Sequence, residues 1–347
     1  MNKQMQCNLT AAIIYLGALS GASAQPVTTA PPGLELQLYA GLSITGALGT
    51  IYSVEYLTDL AQTNTWRCLT FLQPPATNYL WFDPTTPAAG KRFYRAIQFD
   101  APTNLVFIPP GTFRMGSPTN ELDRSDQEGP QTAVTISRGF WMGKYEVTQG
   151  EYLAVMGSNP SIFKDDTNRP VETVTWFNAT NYCGRLTKKE QAAGRIPAGS
   201  QFRLPTEAEW EYACRAGTST RFSYGDDLDY TSLSDYAWYQ GNGGGTTHPV
   251  GQKLPNPWGL YDMHGNVFER CQDWMMGTID HQIGRLPGGI VLDPQGLARG
   301  DGRVVRGGSI NPGFPAGTLR SAARINPPPE FSFYETGFRV VLAPSQP

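Results

Sequence analysis

Apolar and polar positions alternate through residues 34–100. Leu34, Leu36 and Leu38 share one face, with Glu35 and Gln37 on the other. Three later runs, Ile51 to Tyr56, Tyr79 to Phe82 and Arg92 to Ile97, are rich in aromatic and β-branched residues, with Gly, Pro and Asn between them. Such side chains suit a half-buried pleated surface, so this stretch is predicted to be a small β-module. A second series starts at Leu105 to Ile108, where Pro110 to Gly116 is predicted as a turn joining two strands. Strands are expected at Thr132 to Ile136 and Phe140 to Val147, and the polar, acidic residues 117–131 read as a surface loop.

Helical spacing then appears, with start signals. Thr148 and Glu151 form a capping box, after which Tyr152, Leu153 and Met156 fall on one face. Thr206 and Glu209 repeat the device behind Pro205, placing Trp210, Ala213 and Cys214 inward and leaving Glu207 and Glu211 to favour the positive helix end. A third helix is predicted from about Trp176 to Lys188. Residues 217–262 show no sustained periodicity. A Gly-rich loop of that length is expected to carry binding surface or to be held by an ion.

Composition agrees with a loop-rich globular chain: 38 Gly, 28 Pro, 40% apolar and only 16% charged residues in 347, enough for two domains. Residues 1–24 have the form of a signal peptide, with Lys3, an apolar stretch from Leu9 to Leu19, and Ala22-Ser23-Ala24 as the cleavage site. That implies a secreted or periplasmic protein. Cys7 precedes the apolar run, which argues against a lipid anchor, and no stretch is long enough for a membrane span. Residues 25–33 are a Pro- and Thr-rich linker. Loss of Lys3 takes the formal charge from −3 to −4, and no basic cluster exists for phosphate contacts, so nucleic acid is not an expected partner.

Four motifs occur in order: Arg203-Leu204-Pro205-Thr206-Glu207-Ala208-Glu209-Trp210-Glu211-Tyr212, Gly265-Asn266-Val267-Phe268-Glu269-Arg270, Arg306-Gly307-Gly308-Ser309 and Thr336-Gly337-Phe338-Arg339. Over residues 104–343 the chain resembles the formylglycine-generating enzyme, or sulfatase-modifying-factor, family. The resemblance implies an α+β, loop-rich domain related to C-type lectins, here preceded by a β-sandwich-like module over 34–100. The run Val54 to Leu60, Trp66 and Arg92-Phe93-Tyr94-Arg95-Ala96 of that module resembles β-sandwich modules appended to secreted bacterial proteins, where a spacer or attachment role is expected.

The resemblance also implies a calcium site, from the Asp262 and Glu269 side chains and the Gly265 and Val267 carbonyls, all hard oxygen donors. The same residues also make a turn whose acids cap backbone amides. A second family calcium site needs an acid after Trp238, and none follows in Tyr239 to Gly245. Phe268 and Arg270 stand where the family commonly has Trp; Arg270 is expected as a cation beside the floor of the cleft. Active members bind Cu(I) through two cysteines in the loop after Ser309. Here Asn311, Pro312, Ala316 and Gly317 occupy that region, so copper is not expected. Ser309 matches the family's oxygen-site residue but cannot replace thiolates.

Cys68, Cys183, Cys214 and Cys271 remain after processing. Cys183 and Cys214 lie where family disulfides often form, yet the usual partner positions fall near Ser321 and Val340, so buried free thiols are expected. His248, His264 and His281 lack zinc-ligand spacing, Gly308-Ser309 is not a nucleophile elbow, and Asn178-Ala179-Thr180 lies within a predicted helix. Relatives forming carbon–sulfur bonds use a histidine-bound iron supplied by an extra helical domain, and no such iron is expected here. Three functions stay open: a calcium-held module binding a peptide, protein or glycan through Trp238, Tyr239, Phe268, Arg270, Asn311, Phe314 and Arg320; an oxidase acting on a client cysteine by another route; and a structural partner of a secreted enzyme.

Overall fold

Strands account for most of the regular structure in the first part of the chain. In a computed structural model describing residues 39–62, 65–85, 91–276 and 286–345, one unit ends at Phe99 and a second begins at Asp100. The signal segment, the linker, the Leu34–Leu38 alternation and His281 lie outside the described residues.

The first unit contains β1 (Ala40–Thr45), β2 (Tyr52–Leu57), β3 (Arg67–Leu72), β4 (Asn78–Asp83) and β5 (Phe93–Gln98). β1 pairs antiparallel with β4, and β2 lies between antiparallel β3 and β5. Leu42, Ile44, Val54 and Leu72 form the core between these two sheets, with Trp81 and Tyr94 packed against it. β1 and β3 had no strong sequence signal: Gly41 and Ser43 dilute one, and Arg67 and Thr70 the other.

The second unit contains β6 (Leu105–Ile108), β7 (Gly111–Met115), β8 (Thr132–Ile136), β9 (Phe140–Gly143), β10 (Ser200–Arg203), β11 (Phe268–Met275), β12 (Ile290–Leu292), β13 (Gly302–Arg306), β14 (Thr336–Gly337) and β15 (Val341–Pro344). Its helices are α1 (Gln149–Met156), α2 (Trp176–Ala192), α3 (Glu207–Arg215) and α4 (Leu233–Tyr236). The strands form three sheets, ordered β10-β15-β9-β6, β13-β11-β14 and β12-β8-β7. This is a sheet-rich α+β architecture with few helices.

Two expectations need correction. Pro110 to Gly116 is not simply a turn: Gly111–Met115 alternates in exposure and pairs with all of β8. The strand from Phe140 stops at Gly143, where a Cβ would meet the Tyr145 carbonyl at 3.0 Å as the chain turns.

Helix starts follow the sequence closely. Thr148, Thr175 and Thr206 each accept the N3 backbone N–H, and Glu151, Asn178 and Glu209 each return a side-chain bond. Asn178 of the apparent glycosylation triplet is thus a capping residue. Every residue of α3 is buried, so this helix is part of the core rather than a cover on it. Between α3 and β11 only α4 interrupts irregular chain. Asn256 holds that loop to α3, donating to the carbonyls of Ala213 at 2.7 Å and Cys214 at 3.1 Å.

Candidate functional site

The four motifs converge because their charges are buried together. Arg306, at the end of β13, donates Nε to Glu207 and Nη2 to Glu211, both at 2.8 Å. Glu211 also pairs with Arg215, and its Oε1 accepts the Gly116 N–H at 2.8 Å. Arg203 forms two 2.7 Å bonds with Glu209. On β11, Glu269 accepts Trp210 Nε1 at 2.8 Å and two 2.6 Å bonds from Arg339. Glu207 and Glu211, expected only to favour a helix end, are therefore the counterions of a fully buried arginine; desolvated guanidinium needs such partners.

Beside this network, Glu146 and Asp262 are both buried. Asp262 Oδ2 accepts the Gly251 N–H at 2.7 Å, while Asp262 Oδ1 and Glu146 Oε1 are buried without a hydrogen-bond partner. Burial pushes both carboxyls up, and for Glu146 the charges of Asp262 and Glu269 add to it. Three carboxylates thus share one guanidinium, that of Arg339. Two orphaned carboxylate oxygens in a desolvated, electron-rich place fit a hard cation. Among the described residues no group of three or more His, Cys, Asp and Glu side chains could hold a metal, so carbonyls must complete any shell. Glu269 fits less well, since both its oxygens already serve Arg339. Sequence reasoning missed Glu146, although an acid in the apolar run Phe140 to Val147 was the available signal.

Gly265 has φ +101°, and a Cβ there would lie 2.2 Å from the Trp238 carbonyl. That close approach joins the Asp262–Glu269 segment to the 238–248 loop. Asn266 N–H donates to Trp238 O at 2.7 Å, and Asn266 O accepts from Ile310, next to Ser309. Trp238 stacks on His248, with ring centroids 3.8 Å apart. Tyr239 packs beside the Phe222 cluster. Asn242 closes this loop on itself, accepting from Tyr239 N and donating to Ala237 O.

Phe268 meets Phe314 edge-to-face at 4.9 Å. Ser309 is fully buried and accepts the Asn311 N–H at 3.2 Å. Glu335 bonds Asn311, its Oε2 is buried without a partner, and burial pushes its carboxyl up. Phe331 and Phe333, neither singled out from sequence, are 48% and 39% exposed on the segment leading to Glu335.

Three residues expected to face a ligand do not, and the first, Phe268, is only 3% exposed. Arg270 is fully buried; its Nε and Nη2 donate to the carbonyls of Val174 and Phe331. Arg320 is 1% exposed and is held by Glu121 and Glu128. A positive charge read from sequence carries no information about the acids and carbonyls that close over it.

Residues 94–344 match the sulfatase-modifying factor enzyme 1-like domain. The chain belongs to this family. It is 35% identical to the chaperone protein LppX of Paenibacillus barcinonensis, over 49% of this chain and 71% of that one. It is 30% identical to the formylglycine-generating enzyme of the mouse, over 68% and 74%. Among solved structures, Treponema denticola variable protein 1 superposes with a TM-score of 0.59 at 30% identity, covering 69% of this chain and 95% of that one. The α+β domain accordingly has the formylglycine-generating-enzyme fold.

The cysteines among the described residues lie away from water. Cys68 of the first unit and Cys183, Cys214 and Cys271 of the second are buried and form no disulfide. Burial pushes Cys183 and Cys214 up to about 12 and Cys271 well above its usual range. A thiol held protonated is neither nucleophile nor soft-metal ligand.

Proposed function

We propose that this family member is a binding module that engages a client protein or peptide at the 309–314 loop and does not run copper–thiolate oxidation. One observation carries the reading: the Ser309 to Arg324 segment has no cysteine, and Phe314 packs on Phe268 there. Exposed Phe331 and Phe333 supply aromatic anchors of the kind that dominate protein contacts, and Glu335 and Asn311 supply polar ones. Similarity to a protein named as a chaperone favours a protein client over a glycan. Calcium would be held by Asp262 with the Gly265 and Val267 carbonyls, aided by Glu146 and by Glu269. It would supply charge balance and fix the loop. Delivery outside the cytoplasm is part of this reading, supported by the signal-like form of residues 1–24.

The test is oxygen uptake and aldehyde formation by the copper-loaded protein with a cysteine-containing peptide, alongside metal analysis. About one calcium per chain and no turnover supports the reading. Tight stoichiometric copper with oxygen uptake favours the oxidase reading instead.

A further inference from the structure

A cavity of about 410 Å³ opens between the β7-β8-β12 sheet and β11, and shares no residue with the 309–314 loop. Met115, Val134, Met275, Leu286 and Leu297 make its walls apolar. Its volume lies in the range of small-molecule sites, ~300–1,000 Å³.

The polar end of the cavity is asymmetric. Of its two carboxylates, Glu207 is fully paired, with Arg306 on Oε1 and Arg324 on Oε2. Asp273, 4% exposed, accepts the Glu207 N–H at 2.7 Å through Oδ2 and has no ion-pair partner among the described residues. Gly296 covers it closely: a Cβ there would lie 2.7 Å from Asp273 Oδ1, and φ is +71°. The lining cation, Arg324, is already committed to Glu207 and to the Gln127 carbonyl. An apolar chamber thus ends in one buried acid without a counterion. Burial and the neighbouring Glu207 charge push Asp273 up to about 7, against the opposing pull of the Arg324 charge.

We infer that this cavity binds a small organic cation, an amine on an apolar body, whose ammonium pairs with Asp273 while its body lies between Met115, Met275 and Leu297. The methionines suit an aryl body, since thioether sulfur packs favourably on aromatic edges. A carboxylate ligand is disfavoured by Asp273, and a neutral one leaves it unpaired.

The experiment is calorimetric titration of the full chain with phenethylamine, its neutral isostere phenethyl alcohol, and phenylacetate. The amine should bind at least ten-fold more tightly than the alcohol, with phenylacetate weakest. Asp273→Asn, which keeps an acceptor for the Glu207 N–H, should erase the amine's advantage and leave alcohol binding. Leu297→Trp, at a 41% exposed position, should block both. Equal binding of amine and alcohol, preference for phenylacetate, or amine binding untouched by Leu297→Trp would each overturn the assignment. Should Asp273→Asn not fold, the ligand ranking and Leu297→Trp decide it.

Discussion

Arg306 bridges Glu207 and Glu211, one turn apart on α3, with a 2.8 Å bond to each. The bridge ties β13 to the core helix at the point where the chain enters the Gly307–Ser309 turn. Gly307 and Gly308 both have positive φ there, and a Cβ on Gly308 would press to 2.7 Å from Leu319.

Removing Arg306 should therefore be severe. Arg306→Ala leaves buried carboxylates exposed to each other's charge, at a cost of about 3–5 kcal/mol. Denaturant unfolding measures this, and a loss under about 1 kcal/mol would show that the bridge is not what anchors β13.

Calcium should raise the melting temperature, since an ion bound only by the native state stabilises it by about 2.7 kcal/mol at a hundred times its Kd. Asp262→Asn should shrink that response. Identical melting curves with calcium and with chelator would remove the calcium assignment.

Two buried groups should give opposing pH dependences. Burial lowers His264 from 6.5 to about 4, with Nδ1 donating to Leu319 O and Nε2 accepting from Ser223 N. The unfolded chain takes up this proton first, so the contribution of His264 is complete above 6.5 and lost as pH falls toward 4. At about 1.36 kcal/mol per pKa unit this amounts to about 3 kcal/mol. Asp273, raised from 3.8 to about 7, does the reverse: the folded chain holds its proton, and that stabilisation is lost as pH rises through 7. Glu207 and Glu209 act in the same direction on Asp273, and Arg324 against it. Unfolding between pH 4 and 8 should show Asp273→Asn gaining on the parent as pH rises. His264→Asn should be least damaging near pH 4. A pH-independent difference for either variant would refute the corresponding shift.

The buried thiols should resist labelling. A disulfide-exchange reagent should react with Cys68, Cys183, Cys214 and Cys271 much more slowly in the native protein than after denaturation. Rapid native labelling of any of them would show an accessible thiolate and reopen copper chemistry.

The sequence by itself determined whatever depends on near neighbours. Capping at Thr148 and Thr206 was legible because both partners lie three residues apart, and the strands near Tyr52, Tyr79 and Phe93 because runs of aromatic and β-branched residues are local. The ordered motifs identified the family fold, and the missing cysteines bear directly on its chemistry.

Tertiary structure decided what each charge is for. Arg270 and Arg320 read as ligand-facing cations, yet distant chain closes over both: the 331 carbonyl and the 121–128 acids. Glu146 reads as an ordinary strand residue until Asp262, over a hundred positions away, is brought beside it. Asp273 stands out only because Glu207's two oxygens are taken by arginines 99 and 117 residues further along. Burial and pairing are set by the whole fold, and a side chain's local sequence does not specify either.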